Sequence, residues 1–298
     1  MSRRPTLAWF YCLLLVAVVI VTPARAGMSQ GAGAPVSWEV SPSEQQFLAG
    51  IEAISANQLD EAVGRFSRLS QEMPDFRLAN LVYGDLLMAK AAPLRGEGRS
   101  LLLEGGEAAP LLDEARSRLT HWRERPVPGT LPVELVHLSP GQARVVVVDL
   151  AMSRLYLFAN DGDVPRLVAD YYATVGLNGA GKFREGDKKT PVGLYFVTGE
   201  VPASRLTAFF GSGALALDYP NAWDRRMSRT GSGIWLHGSP LGQYSRPPRA
   251  TEGCVALTNP DFSGLMRLVG AGTPVLIAER TVWQSVDSWR RQRDLFIG

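Results

Sequence analysis

The sequence predicts an α+β protein in which a small helical N-terminal domain precedes a mostly β domain. Apolar residues recur at helical spacing between positions 42 and 125. Short segments rich in β-branched and aromatic residues, separated by glycine-rich loops, fill positions 143–280. Between the two lies a segment, 126–142, that starts with three prolines and a glycine, a composition typical of a linker. A chain of 298 residues is long enough for two modest domains.

The N-terminus predicts export. Arg3 and Arg4 precede an uncharged apolar run, Leu7 to Val21, and the run is followed by Ala24-Arg25-Ala26. This order matches a signal peptide over 1–26, cleaved after Ala26. The run is short for a membrane span, which needs about 20 apolar residues. An uncleaved inner-membrane anchor is the alternative. Residues 27–41 are mostly small and polar, which predicts a linker.

Composition narrows the class of protein. Hydrophobic residues make up 46% of the chain and charged residues 20%, which favours a globular fold over disorder. The formal net charge of +2 would fall to −1 after cleavage, because the signal peptide holds three arginines and no acids. Neither value calls for a nucleic-acid partner.

The predicted helical domain, 42–125, begins with two helices separated at Asn57–Asp60 and ended by Pro74. Small and apolar residues fall where a tetratricopeptide repeat places them; these are Gly50, Ala53, Ala62, Phe66 and Leu69. Only one such repeat is legible, whereas about three usually form a stable array. A generic helical hairpin is therefore an equal alternative. A further short helix is expected over Leu111–Trp122.

The β domain is predicted to begin with a hairpin, since Arg144–Leu150 and Arg154–Phe158 flank a three-residue turn. Later strands are expected at Leu167–Val175, Gly193–Val201, Leu215–Leu217, Ile234–His237 and Pro274–Ala278. Many short strands with Gly/Pro turns favour a sandwich or barrel. A C-terminal amphipathic helix is expected over 281–298.

The cysteine content gives the first chemical signal. Cys12 lies within the signal peptide, so the mature chain would keep one thiol, Cys254. A single thiol in an oxidising compartment has no disulfide partner. It is therefore either buried and inert or present in order to react.

His237 and Cys254 form a candidate catalytic pair. His237 ends an apolar strand, Cys254 follows Gly253, and a proline-containing loop of sixteen residues joins them. An imidazole can take the proton of a neighbouring thiol and so produce a usable thiolate nucleophile. The alternative is structural: Cys254 would be a packed thiol, and His237 an imidazole unrelated to it. A metal site needs at least three ligands, and this pair supplies two. No metal or other cofactor is therefore assigned.

The motifs around this pair resemble the YkuD-type L,D-transpeptidases. Their signature is His-Gly, a variable loop, then Ser/Thr-x-Gly-Cys-Ile/Val, and the chain has His237-Gly238 followed by Thr251-Glu-Gly-Cys-Val255. Further matching segments occur in consistent order over roughly 143–279, among them Gly176-x-Asn178-Gly179, Thr190–Gly193, Asp218–Asn221 and Gly272–Val275. Two positions depart from the usual pattern, because Glu252 and Ala256 stand where the family often has His and Arg or Asn.

The resemblance implies a catalytic domain over 143–280 and a peptidoglycan L,D-transpeptidase acting through a cysteine thioester on stem peptides. Cys254 would be the nucleophile and His237 the general base. The carbonyl of Gly238 would orient the imidazole, and N–H groups at Gly253 and Cys254 would stabilise the oxyanion. Tyr219 and Thr251 are the expected substrate-binding residues. The expected compartment is the periplasm, and the expected roles are cell-wall biogenesis and cell shape.

Three alternatives stay open at this stage. The first is an L,D-carboxypeptidase or an amidase that releases a wall-linked lipoprotein, suggested by Glu252 and Ala256. The second is a non-catalytic wall-binding scaffold whose helical domain binds a partner protein. The third is a sortase-like enzyme, which would also need a catalytic arginine, and the sequence offers no basis for choosing one.

Overall fold

The structure is a computed structural model that describes residues 40–91 and 108–297. The chain divides into two compact units, with one boundary between Ala109 and Pro110. The predicted signal peptide, its cleavage site and almost all of the 27–41 linker lie outside the described residues. The helical first part and the mostly β second part confirm the predicted fold class. Within the described ranges, no helix has the length and apolar character needed to cross a membrane.

Three helices form the described part of the first unit: α1 (Pro42–Ser55), α2 (Leu59–Glu72) and α3 (Arg77–Ala91). They bury a small aromatic centre in which the rings of Phe47 and Phe66, and those of Phe47 and Phe76, lie 5.6 Å apart. The two helices expected from the apolar spacing are therefore present. Their identity as a tetratricopeptide repeat stays a prediction.

The second unit is built on an eight-stranded mixed sheet in the order β10-β8-β7-β6-β11-β2-β3-β4. The strands are β2 (Arg144–Asp149), β3 (Arg154–Ala159), β4 (Arg166–Tyr172), β6 (Gly193–Glu200), β7 (Ala214–Leu217), β8 (Trp235–His237), β10 (Val255–Ala256) and β11 (Pro274–Ala278). The predicted hairpin is the antiparallel β2–β3 pair. The pairs β2–β11 and β8–β10 are parallel.

Two small ladders complete the strand set. β1 (Thr130–Pro132) pairs with β12 (Trp283–Ser285), and β5 (Val175–Gly176) pairs in parallel with β9 (Arg249–Thr251). Side chains of the central strands and of helix α6 (Asn259–Met266) form the hydrophobic core. A short helix, α5 (Ala222–Arg226), precedes β8. The core thus supports β8 and β10, the strands that carry the candidate site.

Helix α4 (Ala108–Glu124) covers the helix expected over 111–122. From Pro110 onward it belongs to the second unit, although the sequence analysis grouped it with the helical domain. The cause is a set of contacts with residues of the second unit: Ser245 donates to Glu114 at 2.7 Å, and His121 contacts Asp170 on β4 at 2.7 Å. In addition, Arg118 lies over the ring of Tyr172 on β4, with Cζ 3.9 Å from the ring centroid. The spacing of apolar residues gives no signal for contacts between polar side chains.

The C-terminal segment differs in detail from the predicted helix over 281–298. Strand β12 occupies Trp283–Ser285, and helix α7 runs over Val286–Ile297. The antiparallel pairing of this strand with β1 holds the backbone extended before the helix begins, and the Trp283 ring lies 5.0 Å from the ring of Tyr156.

Candidate active site

The register of β8 and β10 brings His237 and Cys254 to the same edge of the sheet. Val255 lies opposite Leu236 and Ala256 opposite His237 in the parallel ladder. The N–H of Leu257 donates to the carbonyl of His237 at 2.9 Å. Cys254 immediately precedes β10, so it lies beside the residues just before His237. Two positions that are 17 apart in sequence therefore become neighbours.

The His237 imidazole is held in one tautomer. The ring is fully buried, and its Nδ1 lies 2.6 Å from the carbonyl oxygen of Gly238. Because a carbonyl oxygen only accepts, Nδ1 carries the proton and Nε2 has a free lone pair. Nε2 is buried without a hydrogen-bond partner. Burial, together with the charge of Arg246, lowers the pKa of His237 to about 4 despite the opposing hydrogen bond to the Gly238 carbonyl. The ring is therefore a neutral base at neutral pH.

The Cys254 thiol is half-buried, and its Sγ lies 3.3 Å from the carbonyl oxygen of Gly233. Burial raises the pKa of Cys254 above the ordinary thiol value, partly offset by a backbone hydrogen bond from Trp235 and by the charges of Lys182 and Arg246. With Nε2 of His237 unpartnered, the two groups are neutral and not hydrogen-bonded to each other. Substrate-free geometry of catalytic pairs is often loose in this way.

The turn that presents Cys254 depends on Gly253 and Thr251. Gly253 has φ = +127°, and a Cβ there would lie 2.7 Å from the carbonyl oxygen of Lys189. The Thr251 hydroxyl donates to the carbonyl of Cys254 at 2.6 Å and accepts from the N–H of Gly253 at 3.2 Å. Thr251, which we expected to bind substrate, is buried, and its hydroxyl holds the nucleophile turn together.

Position 238 requires glycine because neighbouring groups lie where a Cβ would be. A Cβ at this position would lie 2.3 Å from Oδ1 of Asn259 and 2.9 Å from the N of Ser212. The same Asn259 oxygen accepts the N–H of Ser212 at 2.8 Å. The start of α6 thus locks the backbone that carries the Gly238 carbonyl, and with it the orientation of the His237 ring.

Tyr219, the other expected substrate-binding residue, is mostly buried. Its hydroxyl donates to the carbonyl of Thr230 at 3.0 Å, and its ring lies 5.9 Å from that of Tyr195. Burial raises the pKa of Tyr219 to about 12. The contacts described for Tyr219 are thus with the Thr230 loop and with strand β6 of the protein itself.

An aromatic wall around His237 was missed by sequence reasoning. The rings of Phe209 and Phe210 lie 6.0 and 5.2 Å from the imidazole, and Trp235 packs on Phe210 at 4.9 Å. Both phenylalanines come from a 3₁₀ turn, Ala208–Phe210. These rings contribute to the burial of the imidazole. The only signal in the sequence is the adjacent aromatic pair itself, which has no spacing relation to the His237 motif.

Arg246 is the second site residue that sequence reasoning missed. Its guanidinium lies over the Phe209 ring, with Cζ 4.9 Å from the ring centroid, and its Nη2 donates to the carbonyl of Ala250. Nη1 is buried without a hydrogen-bond partner. The sequence signal was an arginine within the proline-containing loop between His237 and Cys254, a position without a motif of its own.

The two nearby lysines are paired. Lys182 is buried and contacts Asp187 at 2.9 Å, while Lys188 lies 3.5 Å from the exposed Glu252. Glu252, one of the two departures from the usual pattern, thus lies at the surface beside the nucleophile turn. Ala256, the other departure, is buried in β10. Across the described ranges, no cluster of three or more His, Cys, Asp or Glu residues has metal-binding geometry.

Comparison with known proteins identifies the family of one domain. Residues 143–277, a little under half of the chain, match YkuD, the L,D-transpeptidase catalytic domain. This match confirms the resemblance: the chain carries a catalytic domain of the YkuD-type L,D-transpeptidases. The family is one of acyltransferases that act on the stem peptides of peptidoglycan. A search of curated proteins finds no match.

Solved structures give partial matches. The structure of Bd1075 from Bdellovibrio bacteriovorus is 28% identical, with a TM-score of 0.49, over 56% of this chain and 60% of that one. The helical cell shape determining protein Pgp2 from Campylobacter jejuni is 28% identical, with a TM-score of 0.44, over 52% and 54%. L,D-transpeptidase 1 from Mycobacterium tuberculosis is 14% identical, with a TM-score of 0.28, over 46% and 62%. This chain thus matches less than two thirds of the length of each.

Proposed function

We propose that the protein is a cysteine-dependent peptidoglycan L,D-transpeptidase in which Cys254 is the nucleophile and His237 the general base. The observation that carries this proposal is the unpartnered Nε2 of His237, held in its proton-accepting form by the Gly238 carbonyl beside the strand that presents Cys254. A buried acceptor without a partner costs free energy, which is expected at a site completed by substrate.

The first half-reaction follows from these positions. Sγ of Cys254 attacks the carbonyl carbon between diaminopimelate and the terminal D-alanine, and the thiol proton moves to Nε2 of His237. That proton then passes to the leaving amine, the C–N bond breaks, and D-alanine departs. The product is a thioester between the stem peptide and Cys254.

In the second half-reaction an acceptor amine attacks the thioester and gives a proton to His237. The Cys254 sulfur leaves and is reprotonated, so the enzyme returns to its starting state. The N–H groups of the Gly253–Cys254 turn stabilise the oxyanion in both steps. Because the N–H of Gly253 donates to Thr251 in the substrate-free site, that bond of 3.2 Å would have to be shared with the oxyanion.

The raised thiol pKa and the low imidazole pKa favour a particular form of this chemistry. A resting thiolate–imidazolium pair is disfavoured, since burial penalises both charges. Proton transfer from Cys254 to His237 therefore accompanies attack on the carbonyl rather than preceding it. The rate then depends on substrate bringing the two groups into contact.

The proposed compartment is the periplasm, reached through the N-terminal segment 1–26. It is supported by the arginines, apolar run and Ala-Arg-Ala triplet of that segment, and by the location of the family's substrate in the cell wall. Mass spectrometry of the N-terminus of protein from a periplasmic fraction tests it. A mature chain starting at Gly27 is expected, and one starting at Met1 would indicate an uncleaved anchor.

The nucleophile is tested by intact-protein mass after incubation with a carbapenem, a drug class that acylates the cysteine of this family. One adduct is expected on the wild-type chain and none on Cys254→Ala. A tetrapeptide-containing muropeptide is then supplied with the same pair of proteins. Full activity of Cys254→Ala on it would eliminate the proposal.

Muropeptide products decide the acceptor. New 3→3 cross-links identify a stem-peptide amine, whereas tripeptides without new cross-links identify water and an L,D-carboxypeptidase. Release of a wall-linked lipoprotein would identify an amidase. The hydrolytic alternative is supported by Glu252, an exposed carboxylate beside the nucleophile turn where the family often has a histidine.

A further inference from the structure

Two buried polar atoms near Cys254 lack a hydrogen-bond partner, and they are of opposite kinds. Nε2 of His237 is an acceptor, whereas Nη1 of Arg246 is a donor. The proposed function uses the first, which receives the thiol proton. It gives no role to the second.

The surroundings of Arg246 fix its guanidinium in place. The group stacks on Phe209, and its Nη2 donates to the Ala250 carbonyl. The backbone carbonyl of Arg246 accepts from the hydroxyls of Tyr172 at 2.9 Å and Thr174 at 3.2 Å. The neighbouring Ser245 donates to Glu114 on α4 at 2.7 Å. The side chain is thus preorganised, which lowers the entropy lost when it binds a ligand.

No carboxylate balances this charge in the described part of the chain. The acidic side chain nearest in sequence, Glu252, contacts Lys188 instead, and Glu114 on α4 is paired with Arg118. A planar guanidinium with a free Nη1 is suited to a carboxylate, which accepts parallel N–H bonds. The missing partner is therefore expected to be an anionic group of the ligand.

The position of Arg246 identifies which carboxylate of the substrate it meets. Its guanidinium lies on one side of the Phe209 ring, whose centroid is 6.0 Å from that of the His237 imidazole. His237 is the group that protonates the leaving amine. In a leaving D-alanine, only the α-carbon separates the amine from the terminal carboxylate. Arg246 is therefore on the leaving-group side of the scissile bond.

We propose that Arg246 binds the free C-terminal carboxylate of the donor stem peptide and so restricts the enzyme to removal of a single terminal residue. This inference rests on the proposed function, because it assigns the leaving-group side from the role of His237. It makes Arg246 a specificity-determining residue, and it predicts that donors lacking a terminal negative charge are poor substrates.

The test uses the full mature chain and two synthetic tetrapeptides that differ only at the C-terminus, one a free acid and one a carboxamide. For the wild-type protein, kcat/KM for release of the terminal residue is expected to be at least about thirtyfold higher for the acid, as for other charge-assisted hydrogen bonds. Arg246→Gln should lose that preference, chiefly through a higher KM for the acid. Its rate on the carboxamide should stay within about threefold of wild type.

The matched control is Arg249→Gln, which removes an exposed arginine three residues away. It should retain the preference for the acid. The circular dichroism spectra of both variants should match that of the wild type, which would show an intact fold.

Several results would overturn the assignment. Equal wild-type rates on acid and carboxamide, or an equal loss on both in Arg246→Gln, would mean that Arg246 does not read the terminal carboxylate. A third donor has lysine in place of diaminopimelate and so lacks its side-chain carboxylate. Loss of the Arg246→Gln effect with this donor alone would assign Arg246 to that carboxylate instead. Turnover of both peptides by Cys254→Ala would instead refute the proposed function itself.

Discussion

The second unit buries two histidines, and the contrast between them shows what a site requires. His121 on α4 contacts a carboxylate, Asp170, which is itself held by Arg154 at 2.7 Å. The His237 ring on β8 makes its hydrogen bond with a backbone carbonyl instead, that of Gly238. Both rings have a lowered pKa caused first by burial, and each leaves one nitrogen without a partner.

Burial and a low pKa therefore do not distinguish the candidate base from a structural histidine. The distinction lies in what the free nitrogen can reach. The His121 ring lies 6.1 Å from the ring of Tyr156 in the core, whereas β10 runs beside His237 and starts immediately after Cys254. Strand register therefore places the two groups of the site side by side, and the local charges only change their pKa values.

The largest expected effect is that of His237→Gln. Loss of the base should slow acylation of Cys254 by a stem tetrapeptide about 10²- to 10⁴-fold, the usual contribution of a positioned general base. Single-turnover kinetics with mass detection of the thioester would measure it. Circular dichroism should show an unchanged fold.

His121→Gln is the matched control for that experiment. It should lower the free energy of unfolding by about 1–3 kcal/mol, because one hydrogen bond to Asp170 is weakened in a buried site. Its acylation rate should stay within about threefold of wild type. Equal rate losses in the two variants would remove the distinction between the histidines.

The second prediction concerns the buried ionic cluster that Asp170 forms with Arg154 and His121. Burial alone would raise the pKa of Asp170, but Arg154 and His121 outweigh it and hold that pKa at about 2. Asp170→Asn removes the negative charge opposite the buried Arg154, and it should cost about 3–5 kcal/mol of unfolding free energy in urea denaturation. The loss should shrink as the pH falls from about 4 to 2, since the carboxylate of the unfolded wild-type chain is protonated over that range while the folded one stays largely ionised. A variant as stable as wild type would contradict this account.

Much of the fold was predictable from the sequence because it depends on local pattern. The β-branched run at 144–150 and the apolar spacing at 47–54 gave their elements directly. The missed strands, β1, β9, β10 and β12, are only two or three residues long, and the two-residue β5 was predicted only at Val175, as the end of a longer strand. Segments of that length show no periodicity, and only pairing with distant partners makes them strands.

The site was predictable where a short motif carries it, as at His237-Gly238 and Gly253-Cys254. Arg246, Phe209 and Asn259 were not, because each reaches the site through the fold rather than through its sequence neighbours. Thr251 shows a further limit, since its place in the motif gave no sign that its hydroxyl is used within the turn.

The third prediction concerns the support of His237. In Gly238→Ala the new methyl group would overlap Oδ1 of Asn259, so the backbone must shift and move the carbonyl that fixes the ring. Overpacking of this kind costs about 1–3 kcal/mol of unfolding free energy. Acylation should slow about tenfold or more, since misplacement by a fraction of an ångström matters at a reacting centre. Gly162→Ala, at a site with nothing within 4 Å, should change neither quantity.

The smallest expected effect is the response of the wild-type rate to mild acid. Because the pKa of His237 is held at about 4, the ring stays almost wholly neutral at pH 5, and acylation should be only about 10% slower than at pH 7. An unperturbed imidazole would be mostly protonated there, and the rate would fall more than tenfold. The folded-state pKa lies below the unfolded value, so stability is lost as the pH drops from about 6.5 to 4, and fluorescence must confirm folding at each point. Arg246→Gln removes a charge that lowers the pKa of His237. It should therefore shift the acidic limb of the pH–rate profile for acylation to higher pH. A wild-type limb near pH 6.5 would show that His237 is solvated during turnover and that the aromatic wall opens.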